Sequence, residues 1–230
     1  MNRDSVTHLL LGVALALSLV CCASSPDPIF YSLSSRTNRA LSSPQLRIEV
    51  RRVGLPGYLD RPHIVRRASD ERLELAADDR WGAPLDAMVG STLTDDLSEQ
   101  LPNCVVFSEA GSISTVPDVR VQVEITRFEL AADGVVQLRA TFAVRWGDAA
   151  DSVRLKHSNF RVRPASKSTA DLVSSMSRAL AELTDAIAQT ILQGAPASET
   201  GASKPTAPVA PVAPVAPLVP VAPLPPGSGN

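Results

Sequence analysis

Val119-Arg120-Val121-Gln122-Val123-Glu124-Ile125-Thr126, then Arg127-Phe128-Glu129-Leu130, a turn at Asp133-Gly134 and the stretch Val136–Trp146 decide the fold. Successive side chains of a strand point to opposite faces. Val119, Val121, Val123 and Ile125 therefore share one face, and Arg120, Gln122, Glu124 and Thr126 share the other. The phase slips before Phe128, which predicts a β-bulge. Asp133-Gly134 is a hairpin signal, and Val136, Leu138, Ala140, Phe142, Val144 and Trp146 then resume the alternation. Residues 147–151 turn the chain once more into residues 153–162, so the three segments read as an antiparallel meander.

Upstream, residues 30–33 (Phe-Tyr-Ser-Leu) form a brief strand candidate, residues 34–44 a polar loop, and residues 46–51 a strictly alternating, half-buried strand. Residues 63–67 and 72–76 flank Ala68-Ser69-Asp70-Glu71 as a hairpin. From Pro84 the period changes. Leu85, Val89, Leu93, Leu97 and Leu101 recur every four residues, an amphipathic helix with Pro84 in its first turn. Gly90 inside it costs up to about 1 kcal/mol, to be offset where the backbone must approach the sheet. Residues 105–107 then read as a strand, completing a strand–helix–strand crossover between parallel neighbours. The last helix opens at Ser168, with Asp171 three residues on as a capping-box-like start. It carries Leu172, Met176, Leu180, Leu183, Ile187 and Ile191 on one stripe, and ends at Gly194 and Pro196. The expected fold class is α/β, a mixed, largely antiparallel sheet packed by two amphipathic helices in a single domain.

At the amino end, Leu9 to Val20 is an apolar run of 12 residues. That is too short to span a hydrocarbon core, which takes roughly 20 helical residues, and it has the length of a signal-peptide apolar region. Cys21-Cys22 follow directly. Lipoprotein signals place a leucine three residues before the acylated cysteine and a small residue just before it. Leu19-Val20-Cys21-Cys22 fits with Cys22 as acceptor, whereas Cys21 would put Ser18 and Val20 at those two places. An ordinary cleaved secretory signal or an uncleaved anchor is the plainer alternative. Acyl chains contribute about 0.8 kcal/mol per buried CH2, so a multiply acylated cysteine holds firmly to a leaflet. Ala23 and Ser24 follow Cys22 with no Asp in second place, the pattern expected for export to the outer membrane. The expected organisation is a signal over residues 1–21, a tether over 22–29, one domain over 30–194 and a low-complexity tail over 195–230.

In that tail, prolines 205, 208, 211, 214, 217, 220, 223 and 226 fall every third residue. Polyproline II has three residues per turn, so such a helix would carry one proline edge and one aliphatic edge. At about 3.1 Å per residue its 22 residues would reach roughly 70 Å. It reads as a partnerless low-complexity tail, a spacer, or a ligand for an aromatic-lined groove.

The formal net charge of −2 offers no basic field for nucleic acid. Beyond Cys21-Cys22 the chain holds a single cysteine, Cys104, expected as a buried apolar residue. An enzyme search returns no G-x-S-x-G, P-loop or dinucleotide-binding glycine pattern. Only His63 and His157 lie outside the signal, with no second ligand at metal spacing, so no catalytic residue, cofactor or metal is assigned. The adjacent acids Asp78-Asp79 and Asp95-Asp96 read as solvated charges, the latter pair on the polar face of the first helix.

One connection does not read as plain scaffold: Leu55-Pro56-Gly57-Tyr58-Leu59-Asp60-Arg61-Pro62-His63-Ile64-Val65, stiffened by Pro56 and Pro62. With Phe30-Tyr31-Ser32-Leu33 before it and Arg80-Trp81-Gly82-Ala83-Pro84-Leu85 after it, it resembles the auxiliary lipoproteins of MCE-type ABC transport systems, the PqiC/YmbA-like group. The resemblance runs in order over residues 22–193. Ala83 stands where that family often has Glu, and the proline tail is not part of its common body.

The resemblance implies a non-enzymatic lipoprotein on the periplasmic face of the outer membrane. It would dock on or cap an MCE-domain protein and touch lipid transiently; a structural adaptor between outer membrane and cell wall is the alternative. Tyr58, Leu59, Asp60, Arg61 and Pro62 are the candidate contacts, since Tyr and Arg concentrate binding energy at interfaces. The competing reading has Tyr58 and Leu59 closing the core while Asp60 and Arg61 pair locally. Arg80, Trp81 and Pro84 are expected to stack and pack at the helix entrance. Mass spectrometry of the mature amino terminus should find acylated Cys22 as its first residue; a free thiol there sinks the anchor.

Overall fold

The alternation of residues 119–130 becomes the central strand of a mixed eight-stranded sheet. The computed structural model describes residues 27–36, 39–113, 115–148 and 152–194. The signal, Cys21, Cys22 and the proline tail lie outside the described residues. In chain order the elements are β1 (Ile29–Tyr31), β2 (Arg47–Val50), β3 (His63–Arg67), β4 (Leu73–Trp81), α1 (Leu85–Gln100), β5 (Val105–Ser108), β6 (Val119–Leu130), β7 (Val136–Trp146), β8 (Val153–Val162) and α2 (Thr169–Gly194).

β6, β7 and β8 form the antiparallel meander in long ladders. Gly134 takes φ +73 in the first hairpin, a value that suits a residue without Cβ. The bulge falls where the phase slips: the β6–β7 register shifts between Ile125 and Arg127. Along its other edge β6 is shared. Ile48–Val50 of β2 run parallel to Val119–Val121, Gly54 bridges Glu124, and Arg66 of β3 meets Leu130. One edge of one long strand thus carries β2 and then β3, and the chain between them leaves the sheet. From β3 the sheet continues to β4 and β1, and from β2 to β5.

Both helices cover the same face. α2 packs on β6, β7 and β8, α1 on β2 and β5, and the two helices touch. Their apolar residues join one cluster with Ile48, Val121, Ile125, Phe128, Leu138 and Phe142, all nearly or fully buried. The mixed sheet on two amphipathic helices is the architecture expected from the periodicity.

Five local readings are corrected. The crossover through α1 does not join sequence neighbours: β5 pairs in parallel with β2, because β4 is already flanked by β3 and β1. Pro84 is the N-cap, with φ −51 and ψ 131, and its carbonyl accepts the Met88 N–H at 3.1 Å. Gly90 is not forced by close approach to the sheet. An added Cβ would meet only Val53 Cγ2 at 3.9 Å, and Gly90 lines a cleft of about 610 Å³ beside residues 51–53 and 108–111. Asp96 is not on the polar face but buried, accepting Ser35 Oγ at 2.6 Å and the Arg36 N–H at 2.8 Å, which ties the polar loop after β1 to α1. Cys104 is half-buried, its Sγ 3.3 Å from the Pro44 carbonyl.

Gly90→Ala should accordingly stabilise the protein by about 0.5–1 kcal/mol, since helix propensity is gained without a clash. Leu93→Ala, at a side chain with 0% exposure, should cost about 2–5 kcal/mol. Urea unfolding of the two variants measures both.

Candidate functional site

The segment that leaves the sheet between β2 and β3 is the Leu-Pro-Gly-Tyr-Leu-Asp-Arg-Pro loop. Pro56 sets its first turn: its carbonyl accepts the Leu59 N–H at 2.9 Å. The Leu59 carbonyl then accepts the Arg61 N–H at 2.9 Å, so two tight turns follow one another. Gly57 at the tip has open space around its missing Cβ. Leu59 is 2% exposed and belongs to the core, whereas Asp60, Arg61 and Pro62 are exposed.

Tyr58 reaches back to the sheet. Its hydroxyl donates to Glu129 Oε2 at 2.8 Å. The Phe128 N–H donates to the same oxygen at 3.0 Å, and Arg67 Nε donates to Oε1 at 2.9 Å. Arg127 Nε lies 3.6 Å from Oε1, and the Arg67 guanidinium sits 5.9 Å from the Tyr58 ring centre. By alternation Glu129 belongs to the face away from the helices, yet its side chain is fully buried. Burial, followed by the hydrogen bond to Glu129, pushes the Tyr58 phenol up to about 12. Burial and the adjacent carboxylate both disfavour the phenolate, which needs no other explanation.

The second motif comes to the same place. The Pro62 carbonyl accepts the Trp81 N–H at 2.7 Å, and the Gly82 N–H donates to the Tyr31 carbonyl at 2.8 Å. Trp81 is buried at 5% exposure, just before the Pro84 cap of α1. Asp60, Arg61 and Pro62 with Trp81, Ala83 and Pro84 line one cleft of about 370 Å³. Arg80 is half-buried on β4, opposite Phe30 of β1 and His63 of β3. Of the five loop candidates, Tyr58 and Leu59 are thus held inside. Asp60 and Arg61 have no side-chain hydrogen bond or ion pair among the described residues.

Other readings of the sequence fall elsewhere. Asp79 is half-buried rather than solvated and accepts a hydrogen bond from Thr169 Oγ1, near the start of α2. His157 is exposed on β8, its Nδ1 2.8 Å from Thr141 Oγ1. No group of three His, Cys, Asp or Glu side chains able to hold a metal occurs among the described residues. Glu129 was not legible as a site residue, because alternation assigns it to a solvent face. Only the need of Tyr58 for a partner pointed toward it.

Comparison with known proteins gives the family. The sequence pattern of the ABC-type transport auxiliary lipoprotein component matches residues 31–188. The intermembrane transport lipoprotein PqiC of Escherichia coli (strain K12) is 32% identical over 125 residues, 53% of this chain and 65% of PqiC. PqiC of Shigella flexneri matches to the same extent. The alignment therefore spans a little under two thirds of each curated relative. The crystal structure of an uncharacterized protein is similar with a TM-score of 0.61 and 23% identity, over 72% of this chain and 99% of the other. That of a Xanthomonas campestris protein gives 0.58 and 18%, over 72% and 96%. At these identities the two structures speak for the fold alone. The loop, the Arg-Trp motif and both helices lie largely within the matched segment, and the chain belongs to the ABC-type transport auxiliary lipoprotein component family.

Proposed function

We propose that this protein is a non-enzymatic periplasmic accessory of an MCE-type lipid transport system, anchored to the outer membrane through acylated Cys22. In this reading it docks on its MCE-domain partner with the cleft between Asp60-Arg61-Pro62 and Trp81-Ala83-Pro84. One observation carries the reading: the two motifs that flank the β3–β4 hairpin converge on a single cleft. Its buried parts are fixed by main-chain hydrogen bonds, and its exposed charges are left uncommitted. The rigid backbone of the rim costs little ordering entropy on binding, so the cost is confined to fixing the exposed side chains.

The anchor supports the same geometry. Tyr31 of β1 pairs with Trp81, so the chain enters the fold beside the cleft. Seven residue steps lead from Cys22 to Ile29, and at most about 3.6 Å each they reach roughly 25 Å. The cleft would then face partners arriving at the membrane surface, where tethering raises the effective concentration.

A photo-crosslinking residue at position 61, in cells making the whole chain, should trap an MCE-domain protein. The same residue at Leu155, exposed on the far edge strand β8, should not. Equal yields from both positions, or none from 61, would reject the cleft as the docking site.

Tyr58 is expected to act on rigidity. Tyr58→Phe removes a donor to a buried carboxylate and should cost about 1–3 kcal/mol. Because its folded pKa of about 12 lies above the ordinary 10.0, the folded state keeps its proton longer than the unfolded chain. Its contribution is complete below pH 10 and fades as pH rises toward 12. Over that window the wild-type stability should fall more steeply than that of Tyr58→Phe, as read by denaturant unfolding at each pH.

A further inference from the structure

β3 begins beside the cleft, and its five residues end at a cavity of a different kind. This cavity, about 520 Å³, is lined by Arg66 of β3, by Leu130 and the Asp133-Gly134 turn, by residues 163–168 and by Leu172 of α2. Three basic side chains border it: Arg66, Arg163 and Lys167. Its remaining walls include Leu130, Pro164, Ala165 and Leu172.

The balance of charge there is uneven. Asp133, the one acid in the lining, is held by the Arg161 guanidinium and accepts the Val135 N–H at 3.2 Å. Asp171 of α2 accepts from Ser166 Oγ, and Asp79 accepts from Thr169 Oγ1. Every nearby carboxylate is therefore engaged. Ser168 Oγ accepts the Asp171 N–H at 3.1 Å, so the start of α2 is capped from within. By contrast, Lys167 has no acidic or hydrogen-bonding side-chain partner among the described residues, and neither does the exposed Arg163 guanidinium. Arg66 gives one nitrogen to Thr169 Oγ1 at 2.6 Å and the same nitrogen lies 4.0 Å from Asp79 Oδ2, a loose ion pair, while its Nε is buried with no hydrogen-bond partner. The uncompensated charges are those of Arg163 and Lys167. Positive charge is left over at this cavity, beside an apolar wall.

We propose that the cavity binds a phosphate group borne on a short apolar or glyceryl stem. Guanidinium groups match phosphate oxygens in a two-pronged geometry and an ammonium adds a point charge. Leu130 and Leu172 give the stem a surface that a bare anion would not use. The polar end of an anionic phospholipid has this chemistry, and so does a free organophosphate. The cavity shares no lining residue with the cleft, so it can bind phosphate whether or not a partner docks there or Cys22 is acylated.

Phosphorus NMR of the whole chain titrated with dihexanoyl-phosphatidylglycerol below its micelle concentration, glycerol 3-phosphate and inorganic phosphate tests this. Saturable binding of the lipid that exceeds binding of both small anions assigns a lipid headgroup. Glycerol 3-phosphate binding as well as the lipid assigns the free organophosphate. In either case the double variant Arg163→Gln, Lys167→Gln should weaken binding at least about tenfold, through loss of charge-assisted hydrogen bonds. Both positions are exposed, so its thermal midpoint should match wild type. The proposal is overturned if none of the three binds saturably, if the double variant binds as well as wild type, or if octyl glucoside monomers compete as effectively as the lipid.

Discussion

A carboxylate with no exposed surface governs the layout of this protein. Glu129 is placed by the alternation of β6 on the face without helices, where no helix shields it. Taking a carboxylate out of water costs several kcal/mol unless it is paired and hydrogen-bonded. The covering is supplied by the loop after β2, through Tyr58, and by β3, through Arg67. Glu129 can be buried only when both segments are in place. A buried pair of this kind is weak evidence for net stability, but breaking one side of it is expensive. Its effect is to make one arrangement of loop and strand much better than any slipped one.

The same constraint accounts for the divided edge of β6. β2 follows β6 from Ile48 to the Gly54 bridge, and β3 rejoins it at Leu130. Between these points the β6–β7 register shifts near Thr126, and the strand has to bend. A continuous β2–β3 strand could not stay paired across that bend, so the intervening residues leave the sheet. Ejected there, the loop passes over Glu129 and presents Asp60 to Pro62 beside Trp81. A local slip of one residue in β6 thus connects to the position of an exposed cleft.

Legibility in the sequence followed the range of the interactions. The meander, the bulge, the β3–β4 hairpin and both helices are written in short-range periodicity, and the structure has them. What periodicity does not encode is which strands meet across long connections. The pairing of β5 with β2 therefore ran against the expectation of a simple crossover. The burial of Asp96 and Glu129 was hidden for a related reason: each is covered by a segment more than 50 residues away in the chain. Gly194 is a third example. The pattern marks it as a helix end, but an added Cβ there would strike the Trp146 indole. Its φ is not positive, so room for a distant ring, rather than a left-handed cap, explains the residue. The two motifs of the cleft were each visible as strings, and the β3–β4 hairpin between them, also legible, brings them together.

Arg66 and Arg67 show how little chain separates the two surfaces. As neighbours on one strand they point to opposite faces. Arg67 turns to the loop side and satisfies Glu129; Arg66 turns to the helix side and meets Thr169 at the head of α2. β3 spans only His63–Arg67, about 13 Å at the usual rise. The cleft at its beginning and the basic cavity at its end are therefore fixed in relation to one another by a single short element. That element is pinned on one face by an ion pair with 11% and 0% side-chain exposure. Anything that pulled the loop from Glu129 would leave Arg67 unpaired and loosen β3, and with it the position of Arg66. A partner seated on the cleft and a phosphate seated in the cavity would each stabilise the same strand. Linkage then requires each to strengthen the other's binding to whatever extent β3 loosens when both sites are empty.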